Sequence, residues 1–295
     1  MDPRVAWVLN LDADLELGAA HTYAPTAAVK RAMQPHVARL AASLLAPGDL
    51  LDDEDSPPGA ARGLPGRAFC PTPRALSILR RTGAEPEAHP SVEVLRRVNS
   101  RAFASALGPT LPGAAFVTDL AAFEATLARE PSVGDAWRVK YAFGMTGRNQ
   151  RVLAPGCAAD ADRAFVERGL LHGGVQIEPN VPIDTEYAIH GFLFATGALR
   201  LGTLVRQRCD ARGAWLATER VSAHDSAMRE IAPVMVQEVE QVGAALRGAG
   251  YFGPFGIDAF AYRDRRGALH LQPRSEINAR YSMGFPVGFG PPPPL

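Results

Sequence analysis

Residues 175–208, "VQIEPNVPIDTEYAIHGFLFATGALRLGTLVRQR", constrain the fold most. The stretch is rich in β-branched and aromatic residues and is interrupted by turn signals, which predicts several antiparallel strands. A second hairpin is predicted in "FGPFGIDAFAYRDRRGALHLQPRSEIN" (252–278), with "RDRRG" as its turn. Between the two stretches, "PVMVQEVEQVGAALRGAG" (233–250) reads as a helix.

Upstream, "RVAWVLNL" reads as a buried first strand, "TAAVKRAMQPHVARLAASLL" as a helix broken or kinked at Pro35, and "RAFC" with "PTPRALSILRRTG" as strand, turn and helix. Strand and helix alternate here, so residues 1–98 are expected to form a small α/β domain. A new unit opens at "VNSRAFASALG". It continues through a strand, a helix capped by Thr118 or Asp119, the strand "AWRVKYAF", a glycine loop, a returning strand "RVLA", and a helix that stops at Gly173-Gly174. The expected organisation is 1–98, 99–177 and 178–295. The tail "GFGPPPPL" reads as polyproline II or disordered chain.

Formal net charge is zero, and no basic face can be located, so neither a nucleic-acid nor a membrane partner is expected. The acidic run "LDDEDS" (51–56) reads as a solvated loop. The N-terminus lacks the features of a signal peptide or spanning helix. Cys70, Cys157 and Cys209 are far apart and lack metal-ligand spacing, which reads as free thiols in a reducing cytoplasm.

Chemistry concentrates in three places. Lys140 is one of two lysines, with Lys30, among 31 basic residues. It precedes the glycines of "RVKYAFGMTGRN". An ammonium followed by free backbone N–H groups suits a polyphosphate, although a lysine beside an ordinary hairpin turn reads the same way. Glu276 and Asn278 are two apart on a strand and so share a face, opposite the strand that carries Asp258. Three hard oxygen donors suit Mg²⁺, whereas ion pairs of Glu276 with Arg274 or Arg280 would be the plain alternative. In "VQIEPNVPIDTEY", a strand runs through Glu178 into an irregular segment, with Glu186 beyond it. That arrangement offers backbone groups to a flat base and a carboxylate to a ribose.

Taken in order, these segments resemble the ATP-grasp superfamily over roughly residues 99–282. The resemblance implies two α+β lobes clasping ATP, preceded by the α/β domain. It implies Lys140 on the phosphates, Gly144, Met145, Thr146 and Gly147 as a lid, and Glu178 beside the adenine. It also implies Pro179 C=O and Val181 N–H on the adenine edge and Glu186 on the ribose. Asp258, Glu276 and Asn278 would hold one or two Mg²⁺ or, in their place, Mn²⁺. Arg101 stands where the family has a second phosphate lysine. Arg280, Arg206 and Arg274 would steady the carboxylate and the transferring phosphoryl group. The implied activity is ligation of a small-molecule carboxylate to an amine (or thiol) through an acyl phosphate, with a homodimer common among similar enzymes. A small-molecule kinase and a non-catalytic nucleotide-binding module are the alternatives. His21, His190 and His224 read as packing or surface residues. The acids of "NLDADLELGAAHTYAP" (10–25) read as solvated or as facing a cationic substrate.

Overall fold

The computed structural model describes residues 4–19, 22–108, 110–144, 149–210 and 215–293, arranged around three sheets. The first sheet is wholly parallel. Its strands are β1 (Ala6–Val8), β2 (Leu50–Leu51), β3 (Pro65–Ala68) and β4 (Glu85–Pro86), in the order β2-β1-β3-β4. The helices that accompany it are α1 (Ala13–Leu17), α2 (Ala27–Leu44), α3 (Pro73–Thr82) and α4 (Val92–Asn99). Helix α2 runs unbroken through Pro35, contrary to the expected break, and starts at Thr26, whose Oγ accepts from Val29 N–H. Helix α3 begins with Pro73 and ends at Gly83. This glycine has φ +82° and sends its N–H back to Leu79 and Arg80. A Cβ there would meet the Arg62 backbone at 3.1 Å, so both conformation and space call for glycine.

After α5 (Arg101–Ala106) comes a four-stranded antiparallel sheet in the order β5-β8-β6-β7. Its strands are β5 (Ala115–Val117), β6 (Ala136–Tyr141), β7 (Gln150–Leu153) and β8 (Val175–Asn180). Helices α6 (Leu120–Leu127) and α7 (Asp160–Leu171) cover it, burying Phe123, Leu127, Trp137, Val139, Val166 and Ile177 in a core of its own. The third sheet joins β9 (Ile183–Leu193), β10 (Leu199–Leu201), β11 (Val205–Cys209), β12 (Trp215–Arg220), β13 (Gly253–Arg263) and β14 (Leu269–Asn278). Helices α8 (Ser226–Glu230), α9 (Ala232–Gly248) and α10 (Phe285–Gly288) complete the chain. Strand β13 alternates: Phe255, Ile257 and Ala259 join Met235, Val239, Val242 and Leu246 of α9 in the core, which leaves Asp258 for the opposite face. That core is continuous with Trp7, Leu40 and Phe69 of the first unit. Among the described residues, no helix is long and apolar enough to cross a membrane.

Asp12, Asp14 and Glu16, read as solvated or substrate-facing, and Asp52 of the run read as a solvated loop are buried, and Glu54 is half-buried. Asp12 and Glu16 bind Arg74, Asp14 binds Arg280, Asp52 lies inside, and Glu54 meets both Arg74 and Lys30. Their partners lie up to 266 residues away in sequence, which is why local composition misreads them.

His190 is a packing residue, only 1% exposed, with its ring 6.0 Å from that of Phe285. Gly256, Gly284 and Gly288 make room for it; a Cβ on any of them would come within 3.0 Å of the imidazole. Burial pushes its pKa down to about 4, and Nδ1 has no partner. The unfolded chain therefore binds a proton near pH 6.5 that the folded chain refuses. Stability is full above that pH and falls as pH drops toward 4, by on the order of 2–3 kcal/mol. Denaturant unfolding at pH 7, 5.5 and 4.5 should show this loss, and His190→Gln should flatten it.

Candidate functional site

Strand β6 alternates its side chains. Trp137 and Val139 enter the lobe core, so Arg138 and Lys140 face the other way, into a cleft of about 920 Å³ between the second and third sheets. Lys140 Nζ lies 2.5 Å from Glu178 Oε1 on the neighbouring strand, and Gln176 Nε2 donates to Glu178 Oε2 at 2.7 Å. The Glu178 carboxylate is buried between these two donors. Arg138 donates through Nε and Nη2 to Asn180 Oδ1, at 3.1 and 2.7 Å, and through Nη1 to Gln150 Oε1 at 3.1 Å. These partners are neutral amides, so they orient the guanidinium without compensating its charge.

Strand β8 remains paired to β6 as far as Ala136↔Asn180, so it extends two residues past Glu178 and the irregular link shrinks to Val181-Pro182. Pairing with β5 stops at Ile177, which leaves an open side where Pro179, lacking an N–H, sits without cost. Pro179, Val181 and Glu186 line the cleft. Glu186 stands opposite Gln207, and burial followed by a hydrogen bond to Glu186 pushes the Cys209 thiol up. Gly144 also lines the cleft, whereas Met145, Thr146 and Gly147 lie outside the described residues, as does His21.

The facing wall is the β13–β14 hairpin. Register sets Asp258 opposite Glu276 and Gly256 opposite Asn278. Asn278 Nδ2 donates to Asp258 Oδ2 at 2.8 Å, which directs the amide oxygen of Asn278 elsewhere, and Gln207 Nε2 donates to Asp258 Oδ1 at 2.5 Å. Burial, and then the Glu276 carboxylate, raise Asp258 to about 7. The Asp258 and Glu276 carboxylates with the Asn278 amide oxygen form an oxygen donor set suited to Mg²⁺. Among the described residues, no group of three His, Cys, Asp or Glu side chains competes with this set for a metal.

Arg101 spans the cleft. Its Nη1 donates to Tyr141 O at 2.8 Å and its Nη2 to Glu276 Oε1 at 2.7 Å. Arg280 grips Asp14 at 2.6 Å and lies over the Phe69 ring, and Arg206 meets Asp225 at 2.7 Å. The structure does not bring Arg274 to this site. A register shift on β14 sets residues 273–275 against Ala259 alone, which breaks the alternation. Arg274 therefore goes to the helix face, 3% exposed, paired with Glu238 of α9 and bonded to Gly108 O. Glu238→Ala would strand this buried cation and cost about 3 kcal/mol in denaturant unfolding. If Arg274 served only the fold, cleft chemistry per folded molecule would not change.

No protein-family profile matches the sequence, and no curated protein is detectably similar to it. Solved structures are similar in fold. D-alanyl-alanine synthetase A from Vibrio cholerae superposes with a TM-score of 0.54 at 11% identity, over 99% of this chain and 92% of that one. A biotin carboxylase–β-γ-ATP complex from Campylobacter jejuni gives 0.54 at 13%, over 97% and 67%. N5-carboxyaminoimidazole synthetase from Staphylococcus aureus, complexed with ADP, gives 0.52 at 12%, over 95% and 71%. The chain has the ATP-grasp fold. Within this fold, sequence reasoning passed over Arg138, Gln176 and Gln207, and it gave Asp14 as a solvated or substrate-facing acid, not as the partner of Arg280. Arg138 and Gln176 were detectable, each two residues from a candidate on the same strand face. Gln207 and Asp14 become neighbours of the site only through tertiary pairing.

Proposed function

We propose that the chain is a Mg·ATP-dependent ligase that activates a carboxylate as an acyl phosphate and joins it to an amine. The observation that supports this reading is the pairing, across one cleft, of a cationic strand with a two-carboxylate-and-amide wall, bridged by Arg101. In this reading a carboxylate oxygen attacks the γ-phosphorus. The new O–P bond forms as the bond to the β–γ bridging oxygen breaks, and ADP leaves. The amine nitrogen then attacks the acyl carbon, releasing phosphate and a proton. Lys140 and Arg138 offset phosphate charge, and Arg101 and Arg280 lie where the transferring group and the carboxylate would meet. Such a reaction depends on positioning and charge neutralisation more than on a protein nucleophile. Asp258, Glu276 and Asn278 would hold Mg²⁺, which when bound supplies further neutralisation of the phosphates. The adenine would lie by Pro179 and Val181, with Glu186 toward the ribose.

The test is incubation with ATP, Mg²⁺ and mixed amino acids and small acids. ADP and phosphate should appear only when a carboxylate is present. Stoichiometric AMP, or ATP binding without ADP under any mixture, would count against the reading.

A further inference from the structure

On the N-terminal side of Arg280 the cleft changes character. Leu11, Met33, Phe69, Trp215 and Met283 line it there, beside Asp14 and His36. Trp215 is fixed: its Nε1 donates to Thr218 Oγ1 at 2.8 Å, Arg39 lies over the ring at 5.3 Å, and the His36 ring is 6.4 Å away. Helix α2 of the first unit thus braces β12 of the third sheet across the end of the cleft. A wall built this rigidly from apolar side chains favours an apolar occupant.

The charges at this end point the same way. Arg280 is held by Asp14, Arg206 by Asp225 and Arg208 by Glu219. Among the described lining residues, no arginine or lysine at this end lacks a carboxylate partner. Arg280, over the Phe69 ring and shared with Asp14, is left to meet the one substrate carboxylate, and a second anionic group would find only Arg206 and Arg208, each already shared with a carboxylate. At this end Ser282 Oγ is buried and without a hydrogen-bond partner. One hydroxyl against an apolar wall can orient a substrate through a single hydrogen bond.

We infer that the activated substrate is a monocarboxylate with an apolar body, such as an apolar amino acid, seated against Trp215, Phe69 and Met33 with its carboxylate toward Arg280. This inference rests on the ligase reading. The experiment measures ADP and hydroxamate formation with hydroxylamine as the amine. Its acids are leucine and phenylalanine against glutamate, aspartate and phosphoserine. Binding of the same acids is followed by calorimetry with a non-hydrolysable ATP analogue. The apolar acids should exceed the acidic ones in kcat/KM by at least ~10-fold. Trp215→Ala should raise their KM by ~10-fold with kcat little changed. Met283→Arg, which adds an uncompensated cation, should move the preference toward glutamate. Preferential turnover of glutamate or phosphoserine by the unmodified protein would overturn the inference and leave the ligase reading standing. Absence of ADP and hydroxamate with every acid would overturn the ligase reading. The calorimetric arm would then judge the pocket by itself, and tighter binding of the acidic acids there would refute the apolar subsite.

Discussion

Lys140→Ala lowers the rate of ADP release by ~10²–10³-fold, the loss expected when one charge-stabilising donor is removed from a desolvated site. The expectation follows from how the lysine is held. Its ammonium meets Glu178 Oε1 at 2.5 Å, and Gln176 occupies the other oxygen of the same buried carboxylate. Glu178 therefore fixes the ammonium at the end of β6 while leaving its remaining hydrogens for an incoming anion. Lys140→Arg is the sharper variant. A planar fork cannot replace a compact ammonium beside a carboxylate whose second oxygen is already taken, so activity should fall nearly as far. ATP titration by calorimetry alongside single-turnover ADP release separates lost binding from lost chemistry. Retained activity in both variants would remove Lys140 from the site.

Asn278→Ala has a comparable expected effect, ~10²–10³-fold in turnover, with a shift to higher Mg²⁺ at half-saturation. Here two losses combine. The amide oxygen disappears from the donor set, and Asp258 Oδ2 loses the donor that orients it at 2.8 Å. Asp258 is the carboxylate already raised by burial and by Glu276, so losing a stabilising hydrogen bond pushes it further toward its protonated form. The measurement is ADP release across a Mg²⁺ titration, with Mn²⁺ binding followed by spin resonance as the readout independent of turnover. An unchanged Mn²⁺ affinity would refute the role assigned to Asn278.

The legible parts of this molecule were those encoded locally or by period. Alternation along 136–141 and 253–278 predicted the strands, and Asp258 does face Glu276, although the register next to the turn at Asp264–Gly267 would set Arg274 opposite it; the shift at 273–275 brings Glu276 there. Proline at the start of α3 and Gly83 after its end marked that helix. The ATP-grasp resemblance, carried by the order of those segments, agrees with the fold of the structure. Illegible parts depended on partners distant in sequence or on irregular pairing. Arg274 shares a two-residue period with Glu276 and Asn278, but the register shift at 273–275 turns it to the helix side. Asp14 and Arg280 are 266 residues apart, so nothing local marks Asp14 as an ion-pair partner rather than a solvated acid.

The continuity of one core through the first and third sheets has a consequence for how the chain comes apart. Trp7, Leu40 and Phe69 share their apolar contacts with Phe192, Phe255 and Met235, whereas the second sheet buries Phe123, Trp137 and Ile177 by itself. The shared core ties the first and third sheets into one cooperative unit, and the second sheet joins them through the smaller cluster of Leu111, Phe260 and Tyr262 with Val133 and Val181. The lobe of the second sheet can open by giving up that small cluster, while the first hundred residues cannot leave without baring the core under the third sheet. A nucleotide held between that lobe and the larger unit would join their separate transitions into one.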